Sequence, residues 1–160
     1  MFYLKFKIMK NNILVLLLAA LFCSMCVFAE NVNGDNDSDM KMLRVFYTKY
    51  ITNMLENKDI ENQALKKEYI VPDMLEKIPK MIENSGSDPI LRAQDVNQKM
   101  LNTLKIKDLD KLGWYMVSYS WDGSNETCVP VKTINSENKI MIKYIVPIKQ
   151  GLKYGDELIE

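Results

Sequence analysis

The chain has 160 residues, with 21 basic and 21 acidic side chains and no histidine. All the acids follow position 29, while Lys5, Lys7 and Lys10 precede it, so the remainder is mildly acidic. That balance leaves no electrostatic footprint for nucleic acid, and the lack of histidine removes the commonest general base and zinc ligand.

Residues 1–29 have the layout of a secretory signal peptide. The three lysines form a positive start, Ile13 to Phe28 is an uncharged apolar run, and Val27-Phe28-Ala29 offers a cleavage site before Glu30. The expectation is an exported protein of the periplasm or cell envelope. Lipidation of Cys23 or Cys26 is one alternative, although Phe22 and Met25 stand where a bacterial lipobox wants a small residue. An uncleaved anchor is another, with Ile13 to Ala29 at the short limit for spanning a bilayer. No later apolar run is long enough to span. After cleavage only Cys128 remains, which excludes an internal disulfide. With no histidine to activate it, Cys128 reads as a packed or surface thiol.

Asn31 to Asp39 is polar and aperiodic and reads as a flexible leader, so residues 40–160 are the single domain. Asp35, Asp37 and Asp39 alternate as in a calcium loop, but Met40 and Phe46 occupy positions that need Gly and Glu. A first helix is predicted over 40–57, capped by Asp39, with Leu43, Phe46, Tyr47, Tyr50, Ile51 and Met54 on one stripe. After a break at Asn57-Lys58-Asp59, a second helix covers 60–69 with Ala64, Leu65 and Tyr69 inward. Pro72 opens a third, with Met74, Leu75 and Ile78 buried, and Pro79 should end or kink it. Asn84 to Ser87 is a turn.

The second half alternates with period two. Strands are predicted over 103–110, 114–121, 126–134 and from Ile140 onward. Tyr115, Val117, Tyr119 and Trp121 share one face of the second, opposite Trp114 and Met116. Asp122-Gly123-Ser124-Asn125 makes a hairpin turn. Pro130 places the third strand at an edge or on a bulge. Ile140, Ile142, Tyr144, Val146 and Ile148 share a face of the fourth. Helices first and antiparallel strands after define an α+β domain: three N-terminal helices on a curved sheet of about four strands.

Between the halves lies Gly86-Ser87-Asp88-Pro89-Ile90-Leu91-Arg92-Ala93-Gln94-Asp95. Asp88 can cap a turn starting at Pro89, Ile90, Leu91 and Ala93 can seat it, and Gln94 and Asp95 can bond loop backbone. The stretch resembles the signature Asp-Pro-Phe-Leu-x-Ala-Gln-Asp of an exported bacterial family (domain of unknown function 3828), with Ile90 replacing the aromatic. Val45-Phe46-Tyr47 with Tyr50, and Leu65 to Ile70 followed by Leu75, are similar to its helices. The resemblance covers about Leu43 to Ile148. It departs at Ile140, where that family commonly has a Trp. It implies an architecture of the nuclear-transport-factor-2-like, cystatin-like cone and brings no established activity.

The chain holds no Gly-rich phosphate loop, no Gly-x-Ser-x-Gly and no metal-ligand cluster, so no cofactor or metal is implied. The expected function is a non-catalytic exported binding or interaction protein. Tyr47, Tyr50, Asp88, Gln94 and Asp95 are its candidate ligand-binding residues. The partner is another protein or a small apolar ligand, with a homodimer through the sheet as one form. The first alternative is a metal-free isomerase-type enzyme, with Asp88 or Asp95 as pocket carboxylate and Tyr47, Tyr50, Tyr115 or Tyr119 as donor. The second is an inhibitor or immunity-type protein inserting the loop from Asp122 to Glu126.

Overall fold

The computed structural model describes residues 34–109 and 112–148. The expected signal peptide over 1–29, the start of the leader and the tail after Lys149 lie outside them.

Helix α1 spans Gly34–Leu55 and so begins inside the expected leader. Asp39 is therefore an interior helical residue rather than the cap, and the alternating aspartates do not form a calcium loop. Negative charge is favoured at the N-terminal end of a helix, which lets this acidic stretch coil. Asp39 also gains a distant partner, because the Thr133 hydroxyl donates to its Oδ2. Leu43, Phe46, Tyr47, Tyr50 and Ile51 form the expected stripe and are all buried. Each large apolar side chain so buried contributes about 1.5–3 kcal/mol.

Helix α2, Asp59–Tyr69, follows Asn57, whose φ of 56° is the left-handed conformation asparagine tolerates. Asp59 and Glu61 in its first turn and Lys66 and Lys67 in its last complement the helix dipole. Leu65 is buried as expected, but Ala64 faces solvent and Asn62 takes the inner position. The reason is a pair of hydrogen bonds: Asn62 Nδ2 donates to the Tyr50 carbonyl at 3.2 Å and Oδ1 accepts from Asn53 at 3.1 Å.

Helix α3, Pro72–Ser85, starts on Pro72 and buries Met74 and Ile78. Of the expected end or kink at Pro79, the end does not occur: Pro79 is exposed within the helix, which runs on to Gly86, its cap at φ 67°. A fourth short helix, α4 over Gln98–Thr103, stands where no helix was expected and takes the first residue of the strand predicted over 103–110. Asn97 caps it, its Oδ1 accepting from Lys99 N at 3.0 Å and Met100 N at 3.2 Å.

The strands are β1 Lys105–Asp108, β2 Trp114–Ser120, β3 Glu126–Ser136 and β4 Lys139–Ile145. They form one antiparallel sheet in the order β1-β2-β3-β4. The chain is thus α+β, helices first and an open four-stranded sheet after. Tyr115, Val117 and Tyr119 of β2, Val129 and Val131 of β3, and Ile142 and Ile145 of β4 join α1 in the core. Trp121 lies beyond the end of β2 and is exposed rather than inward.

Two register details differ from the expected alternation. Pro130 sits in an interior strand, not at an edge. Its carbonyl accepts from Val146 N at 3.1 Å, just past the end of β4. N–H and C=O of one residue in an antiparallel strand point the same way, so the missing proline donor falls where the β4 ladder has already stopped. The expected bulge does occur, two residues further on, between Lys132 and Thr133. It pairs Lys132 with Tyr144 but Thr133 with Ile142, so Ile142 and Ile145 point inward while Tyr144 joins Trp114 on the outer face. The single apolar face expected from Ile140 to Ile148 is broken there. Glu137 and Asn138, with φ of 52° and 64°, close the β3–β4 hairpin.

Candidate functional site

The segment from Asp88 to Ala93 folds back on itself. Asp88 N donates to Ala93 O at 3.0 Å and Arg92 N to Asp88 O at 2.6 Å. Asp88 Oδ1 accepts from Ile90 N at 2.8 Å, the expected capping bond. Ile90 and Leu91 plunge into the core. Arg92 takes φ 51°, a strained value for a residue with a Cβ. Its Nη2 reaches Val146 O at 3.0 Å and Pro147 O at 3.4 Å, tying the loop to the chain leaving β4.

Helix α1 brings two tyrosines to this loop. Tyr50 donates its hydroxyl to Asp88 Oδ2 at 2.6 Å, so both carboxylate oxygens are occupied. Phe46 stacks on Tyr50 at 5.7 Å between centroids and meets Tyr47 edge-on at 5.3 Å. The Tyr47 and Tyr119 hydroxyls and Arg92 Nε are buried without a hydrogen-bond partner. Burial pushes the Asp88 pKa up against the opposing pull of its bonds to Tyr50 and Ile90. Burial also raises the phenols of Tyr50, Tyr47 and Tyr119, with the nearby Asp88 charge adding to each. Arg92 is lowered by its own burial. These groups form one interior polar cluster wrapped in apolar side chains.

A solved structure has the same fold. It is a crystal structure of a protein of unknown function from Bacteroides thetaiotaomicron, 28% identical in sequence, with a TM-score of 0.64. The match covers 72% of this chain and 97% of that one. No family profile and no curated protein matches the sequence.

Of the five expected site residues, the fold joins two directly, Tyr50 and Asp88, and packs Tyr47 beside them. Gln94 and Asp95 lie apart from the cluster on the exposed side of the loop. Gln94 Nε2 donates to Gly86 O at 3.1 Å, and Asp95 Oδ1 accepts from Val96 N at 2.8 Å. Both bond loop backbone, as their positions in the sequence suggested. Arg92, the variable position of the signature, belongs to the cluster and was not singled out. A lone cation flanked by Leu91 and Ala93 was the available signal. Among the described residues no group of three or more His, Cys, Asp or Glu side chains is placed to hold a metal ion, and no helix is long and apolar enough to cross a membrane.

Chemically the cluster is a clasp. Of the four tyrosines an isomerase could aim at a substrate oxygen, Tyr50 is bonded to the Asp88 carboxylate, one of the two that could serve as base. Asp88 therefore joins α1 to the loop while Arg92 joins the loop to the end of β4. Surface depressions among the described residues lie elsewhere. One is lined by Val71, Asp73, Met74, Lys77, Lys143 and Tyr144. Another is lined by Asn97, Gln98, Lys99, Trp121 and Asp122.

Proposed function

We propose that this chain is a non-catalytic binding protein of the cell envelope, exported by its N-terminal segment and acting through its outer surface. The observation that carries this reading is the occupied carboxylate. Asp88 gives Oδ1 to Ile90 N and Oδ2 to Tyr50, so this carboxylate is engaged in holding the fold together. Fully buried Tyr47, Tyr115 and Tyr119 fill the space between helix and sheet. The raised pKa of Asp88 is a feature an isomerase would share, and burial is its leading cause.

The inhibitor reading draws little from the β2–β3 loop. Asp122 turns its carboxylate onto the amides of Ser124 and Asn125 rather than toward a partner. Trp114, on the sheet face opposite Tyr115 and Val117, is only 4% exposed. Lys132 Nζ lies 5.3 Å from its ring centroid, and Tyr144 meets it edge-on at 6.3 Å. We propose further that the chain is a relative of the exported family of unknown function 3828, with the nuclear-transport-factor-2-like cone. The support is the helix-then-sheet order and the Asp88-to-Asp95 loop that joins the two halves.

Native mass spectra of the protein purified from the envelope fraction of its source cells test this. The expected spectrum shows a retained small molecule, a stoichiometric protein partner or a homodimer. Recovery of a bare monomer from the cytosol alone would overturn the reading.

A further inference from the structure

Trp121 stands at the base of the β2–β3 hairpin with 45% of its surface exposed. Its surroundings are fixed. The Trp121 carbonyl accepts from Asn97 Nδ2 at 3.1 Å, and Asn97 is itself held as the cap of α4. Lys99 Nζ donates to the Asp122 carbonyl at 3.2 Å. Asp122 Oδ1 takes Ser124 N at 2.7 Å and Asn125 N at 2.8 Å, while Oδ2 takes Asn125 Nδ2 at 2.7 Å. Gly123, at φ 90°, and Ser120 Oγ complete the turn with a bond of 2.8 Å. The loop that carries this exposed indole is thus braced before any ligand arrives, which lowers the ordering cost of binding there.

The depression beside it has a volume of about 430 Å³ and is broadly open to solvent. Its other walls are Asn97, Gln98, Lys99 and Asp122, all polar, and no second exposed apolar side chain lines it. A stable protein interface buries about 800 Å² per partner around an apolar centre. One ring in a polar rim does not supply that centre. The ligand that fits has one apolar face for the indole and a hydroxylated edge for an amide and an ammonium. A pyranose ring has both: axial C–H groups on a face and hydroxyls around the rim. Gln98 retains its Oε1 as acceptor, and Lys99 retains N–H donors beyond the one given to Asp122.

We infer that Trp121, Gln98 and Lys99 form a surface saccharide-binding site, in which a pyranose stacks on the indole and hydrogen-bonds the amide and the ammonium. This rests on the non-catalytic binding reading above and names its ligand class.

The test is titration of the ¹⁵N-labelled protein with maltohexaose, cellohexaose, xylohexaose and chitohexaose, following the two indole N–H resonances. Trp121 reports on the site, and buried Trp114 is the internal control. At least one of the four oligosaccharides is expected to shift the Trp121 signal saturably while Trp114 stays put. Trp121→Ala should weaken that binding at least ~10-fold, the loss of about one aromatic contact, and Trp121→Phe should restore part of it. The ring is exposed and outside the core, so the variants should fold, which the unchanged Trp114 resonance verifies. No shift with any of the four, or binding that survives Trp121→Ala, overturns the inference. A stoichiometric protein partner in the native spectra with no saccharide response would overturn this site and leave the binding reading standing.

Discussion

Replacing Asp88 by Ala separates a clasp from a mere cap. A capping side chain alone is worth about 1 kcal/mol. Asp88 makes two bonds as a carboxylate, to Tyr50 at 2.6 Å and to Ile90 N at 2.8 Å. Hydrogen bonds to a charged group contribute about 1.5–3 kcal/mol each. The Ala variant also strands the Tyr50 hydroxyl on a residue that is 5% exposed. Against these losses it escapes the burial cost that raises the Asp88 pKa. The balance predicts a loss of about 3 kcal/mol, read as a lower urea midpoint at unchanged m. Asp88→Asn keeps the shape and the acceptor for Ile90 N, and should lose about 1 kcal/mol near neutral pH.

The pH dependence has a definite sign. The folded pKa of Asp88 lies above its unfolded value, so the folded state holds the proton more tightly. Stability from this group is greatest at low pH, falls as pH climbs through the raised value, and is level above it. Asp88→Asn has no such slope, so the wild-type advantage over Asn should shrink as pH rises from the ordinary carboxylate value, about 4, through the raised folded value. A loss of 1 kcal/mol or less for Asp88→Ala would refute the clasp, and an advantage over Asn that grows with pH would refute the raised pKa.

Three further outcomes are expected. Asn62→Ala removes both side-chain bonds joining α2 to α1 and should cost about 2 kcal/mol in chemical denaturation. Pro79→Ala restores a donor in the middle of α3 at an exposed position and should raise stability by about 2 kcal/mol, seen as a higher Tm in calorimetry. Asp122 is held well below the usual carboxylate range, chiefly by the Asn125 and Ser124 amides. Its contribution is present above its unfolded pKa and lost as pH falls through the folded one, so Asp122→Asn should speed amide exchange at Ser124 and Asn125 near neutral pH and converge with wild type in strong acid.

Much of the architecture was legible because it rests on local periodicity. The stripe from Leu43 to Ile51 repeats at three and four residues, and Tyr115, Val117 and Tyr119 repeat at two. Each pattern can be buried in only one way. Pro72, Gly86 and the Asp122-Gly123 turn announced themselves because their backbone preferences hold in any context. Within the candidate site, the Asp88 cap was legible for the same reason, since its partner Ile90 N is two residues away.

What the sequence by itself determined, then, is the helix-then-sheet order, the apolar faces and the turns, because each depends on neighbours within a few residues. Only the tertiary structure decided the rest. Tyr50 meets Asp88, Thr133 meets Asp39 and Arg92 meets Val146 across long stretches of chain, and no spacing rule encodes a contact between distant segments. The bulge at Lys132 redirects Tyr144, and Asn97 nucleates a helix too short to show a period. Trp121 is exposed because β2 stops one residue before it. Where a strand ends depends on its partners, and so on packing rather than on pattern.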